Sequence, residues 1–270
     1  MVVPQPAASG RPGGHISTGA SVKFQILGSL ELYVADAPIN LGPPKQRAIL
    51  LPLLLEPNTA IGFDTLVERV WDETPPTDVR NVVYTYITRL RRILESVDAG
   101  RRQHAIPRID RRNGGYLLDI APECIDLHRF YQLRNSARAS VDPWECARLQ
   151  RSALDLWDST PIANITGGWA GRIREWLDRE RLDTMAEWAE TEIMLNNSAI
   201  VITELRREMA NNPHAELLIE KLLHALMQTG RTIEALELYA TARGRIVETM
   251  GAEPGPRLRE IHRALLADEL

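Results

Sequence analysis

Two cysteines, Cys124 and Cys146, are all that 270 residues contain, too few for a thiolate zinc site or a disulfide framework. Both read as small buried hydrophobes in a reducing compartment. Long apolar runs are also missing. The longest uncharged one, Ala48 to Leu55, is interrupted by Pro52 and is far below the ~20 residues a membrane span requires. The first twenty residues are rich in Pro, Gly, Ala and Ser without an apolar stretch, so they are not a secretory leader. Residues 1–21 read as a disordered tail, and the chain as cytoplasmic, with no membrane partner. Catalytic spacing is absent too. The histidines (His15, His104, His128, His214, His224 and His262) never form H-E-x-x-H, and no G-x-S-x-G or dinucleotide-binding glycine pattern occurs. No catalytic residue, metal ligand or cofactor is expected.

What the chain does have is apolar content of 44%, enough for one large core or two ordinary ones. Its net charge of −4 conceals an uneven distribution. Val22–Leu118 carries 13 Lys/Arg against 11 Asp/Glu, whereas the part from Asp119 onward carries 18 against 25. Between Arg80 and Arg112 nine arginines face only Glu95, Asp98 and Asp110. Such a cluster suits a phosphate-contacting surface; a solvated helix face with ordinary ion pairs fits it equally well.

Alternation of apolar and polar residues predicts strands over Val22–Ile26 and Leu30–Val34, bent at Gly28-Ser29. Asp36-Ala37-Pro38 reads as a turn before a short strand Ile39–Leu41, and Gly42-Pro43-Pro44 ends the sheet. Three helices follow: Gln46–Leu55, which Pro52 should kink or shorten; Asp64–Trp71; and one from Thr77 or Asp78 to about Glu95. The third helix is the informative one. Val79, Val83, Ile87, Leu90 and Leu94 share a face, while the opposite face carries Asn81, Thr85, Thr88 and Arg92, flanked by Tyr84, Arg89 and Arg91. One side packs on a core; the other offers the groups that read base edges and clamp phosphates in a major groove. No acidic residue lies between Arg80 and Arg92, unlike an ordinary amphipathic surface helix.

After a basic loop (Arg101, Arg102), two strands, Ile106–Ile109 and Tyr116–Ile120, flank Arg111-Arg112-Asn113-Gly114-Gly115. Asn-Gly and Gly-Gly tolerate positive φ and signal a hairpin, whose tip would carry Arg111 and Arg112 towards a neighbouring groove or phosphates. Sheet, three helices and basic hairpin is the order of a winged helix-turn-helix. From Pro122 onward only helical periodicity remains, over about Leu127–Ala139, Glu145–Trp157, Trp169–Asn196, Ala199–Asn211, His214–Thr229, Thr232–Thr249 and Arg257–Ala267. Helices paired around short breaks suggest stacked hairpins of the tetratricopeptide kind. Trp157, Trp169, Trp176 and Trp188 are expected in their core.

Several stretches together resemble the Streptomyces antibiotic regulatory protein family over roughly Phe24 to Leu266. They are Phe24–Gly28, Pro44–Leu50, Leu66…Trp71 before Pro75-Pro76, Tyr86–Arg92, Ala153–Trp157, Gly230…Tyr239 and Gly251–Leu258. The resemblance implies an OmpR-type winged-helix DNA-binding domain (22–120) and an all-helical bacterial transcriptional activation domain (121–270). It implies an activator of secondary-metabolite (antibiotic) gene clusters that binds direct repeats in promoter DNA, a second copy of itself side by side. Such an activator contacts RNA polymerase, sigma factor included. Carried over by position, Tyr86, Thr88, Arg89, Arg91 and Arg92 fall in the reading helix and Arg112 in the wing. Periodicity agrees for Thr88, Arg89 and Arg92 and sets Tyr86 nearer the buried edge. Larger family members add a nucleotide-hydrolysing module, but no G-x-x-x-x-G-K-[ST] occurs here, so the chain reads as a short member or a truncated one. Two other readings stand beside the activator: a helical scaffold, and a DNA-binding repressor acting by occlusion.

Overall fold

The structure, a computed structural model, describes residues 22–98 and 107–267. The basic loop with Arg101 and Arg102, and the expected strand start at Ile106, lie outside them. The head opens with an antiparallel meander of β1 (Val22–Gln25), β2 (Glu31–Val34) and β3 (Ala37–Ile39). Phe24 and Leu32 are cross-strand partners, and both are buried. The turn into β3 comes earlier than its proline suggested. Ala35 and Asp36 take φ values of 50° and 61°, a mirror-type hairpin turn that matches strand twist. With no glycine to mark it, that turn is hard to read from sequence.

Helix α1 (Pro44–Leu55) is buried along nearly its whole length from Ala48 to Leu54, as befits a central helix that is apolar all round. Pro52 does not end it. The helix continues to Leu55, and the Glu56 N–H bonds the Pro52 carbonyl at 3.1 Å. The proline ring is itself part of the core, which offsets the loss of one backbone bond. Helices α2 (Phe63–Trp71) and α3 (Val79–Asp98) pack on it, and α3 buries Val83, Ile87, Leu90 and Leu94 as its periodicity predicts. A second sheet, of order β4-β6-β5, joins β4 (Ile61–Gly62) to the hairpin β5 (Arg108–Arg112) and β6 (Gly115–Asp119). Strand β4 is too short for periodicity to reveal. Its partner Gly115 must be glycine, because a Cβ there would overlap the Ile61 carbonyl oxygen.

The rest is helical: α4 (Asp126–Ala139), α5 (Pro143–Leu154), α6 (Gly168–Met194), α7 (Ser198–Met209), α8 (Glu216–Gln228), α9 (Thr232–Met250) and α10 (Pro256–Ala267). Helices α6 to α10 stack around Trp188, Leu205, Leu222, Leu226, Tyr239 and Leu258. The architecture is an α+β winged helix-turn-helix followed by an all-α tetratricopeptide-like stack. Trp188 is buried in that stack, whereas Trp157 and Trp169 are half-buried against the head's core. Trp176 departs from its expected place. It stays exposed, its ring tilted over Tyr131 at 6.4 Å. The two cysteines are free, and half-buried rather than buried.

The two halves share a core. One apolar cluster runs from Phe24, Ile26 and Leu50 through Phe130, Ile162 and Leu177. Polar bonds reinforce it. The segment between β1 and β2 has no strand beside it on this side, and the helical half satisfies its backbone instead. Asp126 accepts the Ile26 and Leu27 N–H groups, each at 2.9 Å. The carbonyls of Ile26 and Leu27 accept the Ile162 and Asp158 N–H groups at 3.1 Å. Asn164 bonds Leu30 twice, its Oδ1 accepting at 2.8 Å and its Nδ2 donating at 3.1 Å. Each is a buried or half-buried backbone group that would otherwise lack a partner.

Candidate nucleic-acid interface

Helix α3 is anchored by its apolar face, so its other face is dictated by the 3.6-residue period. The structure leaves Asn81, Tyr84, Thr85, Arg89 and Arg92 exposed and Thr88 half-exposed on the outer side. Near its start, Asp78 accepts the Val82 N–H through its carbonyl and the Asn81 Nδ2 through its carboxylate, at 3.1 and 2.6 Å. One turn on, Thr88 donates its hydroxyl to the Tyr84 carbonyl at 2.8 Å. Its lone pairs remain free to accept.

Two of the sequence-named residues sit apart from this face. Tyr86 is half-buried against the core, and the Arg89 guanidinium lies 5.8 Å from its ring centre; the ring supports an arginine and does not itself point outward. Arg91 is half-buried and donates through Nε to the Ile109 carbonyl of β5 at 2.8 Å. It therefore ties the helix to the hairpin. In that hairpin the register pairs Arg111 with Tyr116 and Arg112 with Gly115. Asn113 and Gly114 alone form the turn, at φ values of 50° and 77°. The two arginines thus end a strand rather than occupy the tip, and both are exposed.

Charge on this side is left uncompensated. Among the described residues, Arg80, Arg89, Arg91, Arg92, Arg111 and Arg112 form no ion pair, while Arg108 on the same hairpin is engaged by Asp110 and Asp119 at 3.3 and 2.9 Å. Guanidinium groups that no carboxylate pairs with suit a polyanion. The helical half leaves Arg89, Arg92, Arg111 and Arg112 exposed and meets the head elsewhere. At the end of α2, Asp72 accepts the N–H groups of Gly168 and Trp169 at 2.9 and 3.1 Å, capping α6. These bonds hold its carboxyl below the usual carboxylate range, the Gly168 N–H foremost. Arg69 stacks on Trp169 at 5.3 Å beside them. Among the described residues no group of three or more His, Cys, Asp or Glu could hold a metal, and no helix is long and apolar enough to cross a membrane.

Sequence reasoning missed the joint itself. Asp72, Asp126 and Asn164 act across 96 to 134 residues of chain, where periodicity is blind. It placed Tyr84 only on the flank of the face.

Comparison with known proteins bears on both halves. Residues 125–266 match the family model described as bacterial transcriptional activator domain, and residues 36–118 match transcriptional regulatory protein, C terminal. The chain is 32% identical over 262 residues to transcriptional regulatory protein MoaR1 of Mycobacterium tuberculosis, covering 93% of this chain and 81% of that protein. It is 31% identical over 268 residues to regulatory protein AfsR of Streptomyces coelicolor, covering 98% of this chain and only 26% of that much longer protein. Among solved structures, Mycobacterium tuberculosis EmbR in complex with a low-affinity phosphopeptide superposes with a TM-score of 0.83 at 24% identity. The match covers 92% of this chain and 66% of that one, a likeness of fold.

Proposed function

Because the chain belongs to the Streptomyces antibiotic regulatory protein family of DNA-binding transcriptional regulators, we propose that it activates promoters of a secondary-metabolite gene cluster by binding direct repeats and recruiting RNA polymerase. In this reading residues 22–120 are the OmpR-type winged-helix DNA-binding domain. Residues 121–270 are the bacterial transcriptional activation domain that contacts polymerase and its sigma factor. A second copy binds side by side on the DNA. Asn81, Thr85, Thr88, Arg89 and Arg92 meet base edges in the major groove; Arg111 and Arg112 meet phosphates or the adjacent minor groove. Tyr86 backs Arg89, and Arg91 sets the angle between helix and wing.

One observation carries this reading: the outer side of α3 is open and cationic, although the chain as a whole is acidic. A regulator that only occluded polymerase would need the same face, so the discriminating experiment is functional. Footprinting on a candidate promoter, followed by single-round transcription with purified polymerase, should show a repeated protected site and more transcript with the protein than without. Binding should weaken steeply as salt rises, since each neutralised phosphate releases counterion. Protection with less transcript would make the protein a repressor. Salt-insensitive binding, or none, would leave a helical scaffold.

A further inference from the structure

Tyr84 is a large aromatic ring placed where the fold has no use for one. Of the large hydrophobic side chains among the described residues of 22–120, it is the one left exposed, at 62%. No other ring and no cation packs on it there, and its hydroxyl has no hydrogen bond among the described residues. Its neighbour Tyr86 shows what the core would have done with it, since that ring is drawn in against the cluster and shielded by Arg89. On the helical wheel Tyr84 lies roughly 60° from the centre of the Asn81–Thr85–Thr88–Arg92 face, on the same flank as Arg91. Arg91 is bonded to β5. The ring therefore stands on the wing-facing flank of the helix, two turns ahead of the helix–wing tie.

Resting on the DNA-reading proposal above, we infer that Tyr84 determines part of the sequence preference by packing its ring on the 5-methyl group of thymine. The argument is one of chemical matching. The rest of the face offers mainly hydrogen-bonding or charged groups: the amide of Asn81, two threonine hydroxyls and two guanidiniums, with only the small threonine methyls as further apolar surface. Base pairs in the major groove present donors and acceptors to such groups, and the one apolar handle there is the thymine methyl. A ring that keeps its apolar surface in water until it binds gains most where it covers that methyl. Arg89 and Arg92 then answer guanine or phosphate, while Tyr84 answers thymine.

The test uses the full chain. A duplex enriched by the wild-type protein from a randomised pool is resynthesised with each thymine replaced singly by deoxyuridine, which removes only the methyl group. Fluorescence anisotropy is measured for wild type, Tyr84→Phe and Tyr84→Ala. At one or two thymines wild type and Tyr84→Phe should lose about fourfold in affinity, the worth of one covered methyl group. Tyr84→Ala should lose nothing further at those thymines and should enrich sites with relaxed preference there. Thermal melts should hardly change, because the side chain is mostly exposed in the free protein. If Tyr84→Ala keeps the wild-type methyl sensitivity everywhere, the inference is overturned and the DNA reader stands. If Tyr84→Phe loses that sensitivity, the hydroxyl and not the ring is responsible, and the inference is again overturned. If wild type enriches no sequence at all, the DNA-reading proposal falls and takes the inference with it.

Discussion

The arginines of the helical stack and those of the candidate face live in different circumstances. In the helical half many are paired. Arg134, its side chain 8% exposed, is held by Glu180 and Glu187 at 2.6 and 3.0 Å, and Arg138 adds a second bond to Glu187. Arg181 meets Glu208 through both terminal nitrogens at 3.0 and 2.8 Å. Arg231 and, next, Arg206 converge on Glu234 and pull its carboxyl pKa down to about 2. In the head, the arginines of α3 and the hairpin end are left without carboxylates among the described residues. Net charge is therefore a poor guide to binding. The surplus of acid lies in the helical half, much of it answered by that half's own arginines, so it does not cancel a cationic face elsewhere.

The strongest way to break this contrast is to attack the joint on which it depends. Asp126→Ala leaves the Ile26 and Leu27 N–H groups without an acceptor, and should cost about 3 kcal/mol of stability in denaturant titration. A loss no larger than that of an exposed substitution would mean the head folds without help from the helical half. The same carboxyl gives a pH signature. Burial raises its folded pKa to about 6 from 3.8, against the pull of the Leu27, Ile26 and Leu127 N–H groups. The folded state therefore holds this proton more tightly than the unfolded chain. The associated stability is full below about pH 4 and is lost as pH rises through 6. Asp126→Asn should flatten that portion of the stability–pH curve relative to wild type.

Next in size, Arg89→Ala or Arg92→Ala should weaken binding to a preferred duplex by about 1–3 kcal/mol, with relaxed preference at one base pair. The comparator is Arg148→Ala, which removes an exposed pair with Glu145 at 2.6 Å and should leave DNA affinity unchanged. Equal effects from both halves would erase the distinction drawn here. Asp72→Ala, which uncaps α6, should lower the melting midpoint by the equivalent of about 1 kcal/mol. DNA affinity should hardly move. Smallest of all, Arg112→Ala should weaken all sequences alike and reduce the slope of log affinity against log salt by about one.

Much of this fold is visible in the amino-acid order. Helix α3 buries Val83, Ile87, Leu90 and Leu94 as its period indicates, with Val79 half-buried at its start, and Asn113-Gly114 places the hairpin turn because few residues accept positive φ. What escapes falls into two kinds. Some local features carry no sequence mark, such as β4 with its two residues, or the turn at Ala35-Asp36 without a glycine. Pro52 misleads for the opposite reason: a strong local signal is overridden when the proline ring joins a core. The other kind is tertiary. Nothing in the pattern around Asp126 or Asn164 announces that these side chains complete the backbone of residues 26 to 30. On the candidate face, periodicity chose the outward residues. Only the structure separates Arg91, bonded to the hairpin, from Arg92, which is exposed.

Helix α6 begins on a side chain at the end of α2 and runs for 27 residues, roughly 40 Å at the usual rise per residue. Bolted to the head by a shared core, it acts as a strut, so wherever the head docks, the far end of the stack is carried to a set height and bearing above the duplex. In the proposed arrangement of copies on direct repeats, bearing is fixed by helical phase. Inserting about five base pairs between the repeats, half of a roughly 10.5-base-pair turn, would swing one strut to the opposite side of the DNA without altering either binding site.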